Sequence, residues 1–285
     1  MIQLLRIKHW IKNSFVFLPA FFAGKLFNEN TIFILGLTFL IFSFMASAIY
    51  VINDYKDIKL DKLHPTKKNR PLASGRVLNA NAKIVCALLF FLAISGAYSV
   101  HLNLFLIIIA YFVLNIIYTF SFKKIAIIDI VCISIGFVLR IFAGAVSTGI
   151  QISEWLVLMV FLISLLMGFA KRRDDLLIKE ERGVSVRKSI DGYNKEFVDL
   201  SIVFMAGIVV VCYIMYSTNS EVVSRIGSQY LYMTSIFVIV GILRYLQITF
   251  VFEKSGSPTD ILWRDKFLQI VIFLWISVFG MFLYT

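Results

Sequence analysis

Uncharged or nearly uncharged stretches dominate the chain, near residues 31–52, 84–101, 102–122, 125–148, 153–170, 197–216, 229–250 and 267–284. Each is close to the roughly 20 residues that cross about 30 Å of hydrocarbon as an α-helix. A further stretch, 11–27, has a shorter apolar centre from Phe15 to Ala23 with Pro19 inside it. A membrane helix tolerates such a kink where neighbours satisfy the freed carbonyl. The pattern therefore predicts an all-α integral membrane bundle of nine transmembrane helices, one domain over residues 1–285, interrupted by long polar segments near 53–80 and 171–195.

Charge placement orients the bundle, because Lys and Arg collect in cytoplasmic loops. Alternate polar segments (1–12, 53–80, 123–124, 171–195 and 253–266) hold 23 of the 28 Lys and Arg residues, which predicts a cytoplasmic N-terminus in the inner (plasma) membrane. All acids except Glu29, Glu154 and Glu221 fall on that same side, which the positive-inside rule does not require, so the chemistry belongs to the cytoplasmic face. Hydrophobic residues make up 60% of the chain and charged ones 16%, a balance that excludes a soluble domain. The net charge of +11 is scattered among membrane loops with no nucleic-acid module, so membrane lipids and a phosphorylated substrate are the expected partners, not nucleic acid. Residues 1–24 resemble a signal peptide, but no A-x-A site follows and the segment is read as uncleaved. Cys86, Cys132 and Cys212 lie in apolar helices without metal-ligand spacing and are read as packing residues.

The most chemical segment is NDYKDIKLDKLHPTKKNRPLASG, residues 53–75. On a helix Asp54, Asp57 and Asp61 project from one face, with Asn53 beside them. Like charges on one stripe repel unless a cation sits between them, and Mg2+ is typically held by one or two carboxylates plus substrate phosphates. His64, Lys67, Lys68 and Arg70 follow as phosphate contacts, with Arg70 suited to a bidentate grip. The alternative reading is a solvated charged loop. The segment 171–195 is its counterpart: Asp174, Asp175, Glu180 and Glu181 are candidate metal ligands, and Lys171, Arg172, Arg173, Arg187 and Lys188 candidate phosphate contacts. A solvated amphipathic helix would give the same mix. Asp129 and Arg140 are 11 residues apart, three helical turns, and are expected on one face lining a cavity. Arg244 either lines the interior or snorkels to the interface. Lys123 and Lys124 lie near Tyr118 and either contact substrate or anchor a helix end.

Asn53, Asp54, Asp57 and Asp61 match the N-D-x-x-D-x-x-x-D signature, and in this the chain resembles the UbiA superfamily of intramembrane prenyltransferases. RIKHWIKN at 6–13, DIVCISIGFVLRIFAGA at 129–145, AKRRDDL at 170–176, ERGVSVRKSIDGY at 181–193, ILRY at 242–245 and SPTDILWRDKFLQ at 257–269 look like one branch of it. That branch is the polyprenyl-phosphate phosphoribosyltransferases, typified by decaprenyl-phosphate phosphoribosyltransferase, and the similarity runs over nearly the whole chain. The second segment departs from the pattern of the aromatic prenyltransferases, which carry a second regular Asp motif there. Arg173 departs from the branch, where tyrosine is common, whereas Lys171, Arg172 and Asp175 match it.

The resemblance implies transfer of 5-phosphoribosyl from phosphoribosyl diphosphate to a polyprenyl phosphate. It implies Mg2+ held by Asn53, Asp57 and Asp61 with Asp54 near, and Asp175 as a further ligand. Lys67 and Arg70 would neutralise the leaving group, while Lys171, Arg172, Arg187 and Lys188 would hold the 5-phosphate. Lys12 and Asn13 would contact the donor or the lipid phosphate, and Tyr118, Lys123 and Arg140 would complete the substrate site. The acceptor is already ionised, so none of the three histidines is needed as a base. The competing expectations are an aromatic prenyltransferase using a prenyl diphosphate and, in another class, a transporter. Against the transporter, the acids gather at one face instead of forming a midplane relay. The Phe-rich exterior suits lipid contact and a homo-oligomer equally.

Overall fold

Eight helices are long and apolar enough to cross a membrane among the residues that the computed structural model describes, namely 2–63, 67–182, 188–253, 261 and 264–284. They are α1 (Glu29–Leu63), α2 (Asn79–Val100), α3 (Leu102–Phe120), α4 (Ile128–Thr148), α5 (Glu154–Arg182), α6 (Lys195–Thr218), α7 (Ser235–Phe250) and α8 (Lys266–Tyr284). A 3-10 turn, Gln229–Thr234, leads into α7 and completes its span. Among the described residues there is no strand, as lipid demands of a chain that must satisfy its backbone internally.

Over 11–27, where the ninth helix is expected, the helical stretch is shorter than the other eight. Residues Ile7–Phe17 form a 3-10 helix, and Leu18–Phe22 a short α-helix with Pro19 at its start. Proline is at home in the first turn of a helix, and the 3-10 helix passes directly into the α-helix one residue before Pro19. The segment also carries Lys8, His9 and Lys12. It is fastened to α1 by polar pins. Trp10 Nε1 donates to Ser47 Oγ at 3.0 Å, Ser47 Oγ donates to the Leu5 carbonyl at 2.8 Å, and Asn13 Nδ2 donates to Ser43 Oγ at 2.9 Å.

Two helices outrun the bilayer. With 35 residues, α1 is about 52 Å long at 1.5 Å per residue, against about 30 Å of hydrocarbon. Its surplus carries Asn53 to Asp61. Likewise α5 continues to Arg182, so residues 171–182, read from sequence as loop, are helical.

The chain divides into two compact units. One takes the residues up to Phe120 with Gly136–Ile152, and the other Ser121–Ile135 with the residues from Ser153 onwards. The first is centred on Phe42, Met45, Ile49, Leu104, Ile108 and Tyr111, with Ala93 and Ala97 letting α2 approach closely. The second is centred on Ile130, Leu166, Phe169, Val198, Ile202 and Tyr245. Large apolar side chains such as Phe91, Phe204 and Phe273 stay exposed, which suits a lipid solvent.

Gly144 of α4 lies against the Val16 backbone, and a Cβ built there would overlap the Val16 carbonyl. Gly144→Ala is therefore expected to destabilise by about 1–3 kcal/mol through overpacking, outweighing the roughly 1 kcal/mol gain in helix propensity. Thermal unfolding in detergent measures this, and an equal or higher Tm would contradict the close approach.

Candidate active site

The overhanging end of α1 brings together the acids that the sequence singled out and two arginines from elsewhere in the first unit. Asp54 and Asp61 are 2% and 4% exposed, too buried to hold charge without partners. Arg6 Nη2 donates to Asp54 Oδ1 at 2.5 Å, and Arg70 Nη1 donates to Asp54 Oδ1 at 3.2 Å and to Asp61 Oδ2 at 2.7 Å. Arg70 is held by the turn after it, where Ser74 N donates to the Arg70 carbonyl at 2.9 Å. Asp57 lies between these acids in sequence and is half-buried. Asn53 Oδ1 accepts from Thr119 Oγ1 at 2.6 Å, and Lys56 Nζ donates to the Thr119 carbonyl at 2.8 Å while lying over the Phe120 ring. His64 and the Lys67 side chain lie outside the described residues.

The donor set tests the expectation of a metal. Carboxylate and amide oxygens on one stripe are the ligands that hard divalent cations take, so their chemistry fits Mg2+. No three His, Cys, Asp or Glu side chains already converge on a metal position among the described residues. The acids are instead balanced by guanidinium groups.

Arg140 and Asn13 belong to a separate, internal network of the first unit. Arg140 Nε donates to Asn13 Oδ1 at 2.8 Å, Nη1 to the Gly136 carbonyl at 2.6 Å and Nη2 to the Tyr111 hydroxyl at 2.9 Å. Its guanidinium also lies about 5 Å from the Phe42, Tyr111 and Phe137 ring centres. Arg140 is 6% and Asn13 1% exposed, so this network pins the N-terminal segment to α4. Lys12 and Tyr118 are half-buried. Asp129, on the same helix as Arg140, falls in the second unit.

In the second unit Asp129 is fully buried and accepts three hydrogen bonds: from Arg172 Nε at 2.7 Å, Ser189 Oγ at 2.9 Å and the Tyr193 hydroxyl at 2.9 Å. Arg172 also donates to Asp175 Oδ2 at 3.1 Å. Burial, with the Asp129 charge beside it, raises the Tyr193 pKa and keeps its hydroxyl a donor. Arg172 and Asp175, expected at phosphate and metal, are thus found in a buried network that ties α5 to Ser189 and Tyr193. Arg173 is buried as well, donating to Asp199 Oδ1 at 2.8 Å. Lys171 and Lys188 are exposed and Lys123 is half-buried, while Arg187 lies outside the described residues. Arg244 grips Asp265 through Nε at 3.2 Å and Nη2 at 2.6 Å, and that hydrogen bonding lowers the Asp265 pKa.

Sequence reasoning had passed over Arg6, Thr119, Ser189, Tyr193 and Asp199. Arg6 and Asp54 are 48 residues apart, and no local spacing joins them. Asp129→Asn removes the closer of the two carboxylates that balance Arg172, leaving Asp175 alone, a loss of the kind that costs up to about 3–5 kcal/mol in buried pairs. A large fall in Tm is expected, and a wild-type Tm would contradict a structural role for the network.

Residues 14–251 match the UbiA prenyltransferase family. The decaprenyl-phosphate phosphoribosyltransferase of Corynebacterium glutamicum is 32% identical over all of this chain and 86% of its own length. The enzyme of the same name from Mycobacterium tuberculosis strain H37Rv is 31% identical over 98% of this chain and 92% of its own. In fold, the chain resembles the UbiA homolog from Archaeoglobus fulgidus bound to GPP and Mg2+, with a TM-score of 0.69 at 20% identity over 99% of this chain and 98% of that one. The chain belongs to the UbiA prenyltransferase family.

Proposed function

We propose that the protein transfers 5-phosphoribosyl from phosphoribosyl diphosphate to a polyprenyl phosphate. The observation that carries this reading is the similarity, at 30–32% identity over essentially the whole chain, to enzymes named decaprenyl-phosphate phosphoribosyltransferase. In the reaction the bond from the ribose anomeric carbon to the diphosphate oxygen breaks, and a lipid phosphate oxygen bonds to that carbon. Charge grows on the leaving diphosphate, so the protein must present cations where it departs.

Asn53, Asp57 and Asp61, with Asp54 beside them, would hold Mg2+, in keeping with their oxygen-only donor set. When bound, Mg2+ supplies Lewis-acid neutralisation of the diphosphate. Arg70 offers a guanidinium at the same place, already turned toward the acids. The acceptor phosphate is ionised at neutral pH, so the chain needs to orient it and exclude water, not deprotonate it. In the second unit Lys171 and Lys188 are exposed cations suited to substrate phosphates, whereas Arg172 and Asp175 act through the Asp129 network as positioning residues. The Lys and Arg asymmetry supports a cytoplasmic face for these charged ends, and the membrane proposed is the inner one.

Asp57→Asn and Asp61→Asn are each expected to lower transfer of radiolabel from phosphoribosyl diphosphate into the lipid fraction by at least about 100-fold, the upper end of what outer-shell metal partners cost. Wild-type turnover in either variant would remove the carboxylates from the mechanism.

A further inference from the structure

In this acid cluster the carboxylates lie inside and the guanidinium groups outside. The Asp54 and Asp61 side chains are 3% and 5% exposed, while those of Arg6 and Arg70 are 21% and 28% exposed. An anion approaching from solvent meets the arginines first. Asp54 is also shared, because a single oxygen, Oδ1, accepts from both Arg6 and Arg70.

Arg6 is presented with unusual care for a residue near a chain end. Its backbone is left-handed, with φ 51° and ψ 47°, a conformation that few non-glycine residues adopt. The residues around it are pinned to α1, since the Leu5 carbonyl and Trp10 Nε1 both bond Ser47 Oγ. The guanidinium lies 4.9 Å from the Tyr50 ring centre. Together these aim its fork at the acid stripe from outside both charged segments.

We propose that Arg6 is a substrate-phosphate contact which competes with the divalent cation for Asp54: it gives up that carboxylate as the cation binds and turns its fork to the phosphate oxygens. The inference rests on the proposed placement of the metal at the α1 acids. A cation drawing on Asp54 Oδ1 takes the acceptor that Arg6 uses and repels the guanidinium beside it. Phosphate oxygens match the planar fork, which can donate to them in pairs. Arg70, which shares the same oxygen, is subject to the same exchange.

The test separates competition from simple support of the fold. Mn2+ binding to detergent-solubilised protein is followed by the electron paramagnetic resonance signal of the free ion, with and without inorganic diphosphate, for wild type, Arg6→Gln and Arg6→Lys. Competition predicts that Arg6→Gln binds Mn2+ alone about 5-fold or more tightly than wild type, in the range of ordinary coupling between sites. In the presence of Mn2+, the same variant should bind diphosphate about 10-fold more weakly. Arg6→Lys, which keeps the charge without the fork, should shift both in the same directions by less, and it decides the matter if Arg6→Gln does not fold. Unchanged or weaker Mn2+ binding in the variants overturns the proposal, because an arginine that merely holds the site together would produce that result. Tighter Mn2+ binding in a protein that moves no phosphoribosyl would overturn the proposed reaction and leave the competition standing. Normal transfer with unchanged Mn2+ binding would do the reverse.

Discussion

A carboxylate buried at the edge of a membrane protein must have a partner, and this structure is organised around where those partners come from. Burying an isolated charge in a low-dielectric interior is far more costly than any single packing contact can offset. The acids that matter here each recruit a guanidinium from a distant part of the chain. Asp54 takes Arg6 and Arg70, Asp129 takes Arg172, and Asp265 takes Arg244. Arg140 is the complementary case: its neighbours include an amide, a carbonyl, a phenol and three aromatic faces.

These networks divide by exposure into two kinds. In the Asp129 network both ion-pair partners are about 1% exposed and the acceptor's oxygens are matched by three donors, so it holds α5 and the segment after it in place. In the Asp54 network the acids are sealed and the arginines partly open, the arrangement on which the proposed exchange of partners rests. Structure-holding and chemistry thus use the same residue types. Access to solvent sets them apart.

That distinction explains what was legible in sequence. The acid stripe on α1 was readable because its spacing of three and four residues is a property of one helix. The eight long apolar helices were readable from length alone. Hydropathy does not reveal that the N-terminal segment is largely a 3-10 helix pinned by Ser43 and Ser47. Residues 171–182 read as loop because their charge looks solvated. They are helical because Arg172 and Arg173 find carboxylates 43 and 26 residues away. Arg6 escaped notice for the same reason: pairings across tens of residues leave no local pattern.

The central claim is that the α1 acids and their arginines serve a phosphoribosyl donor and not a prenyl one. The most direct measurement offers detergent-solubilised protein with Mg2+ two substrate sets in parallel: labelled phosphoribosyl diphosphate with a polyprenyl phosphate, and a prenyl diphosphate with 4-hydroxybenzoate. The account predicts label passing from the ribosyl donor into the lipid fraction and no prenylated benzoate. Prenylated benzoate without ribosyl transfer would contradict it and place the protein among the aromatic prenyltransferases of the same family.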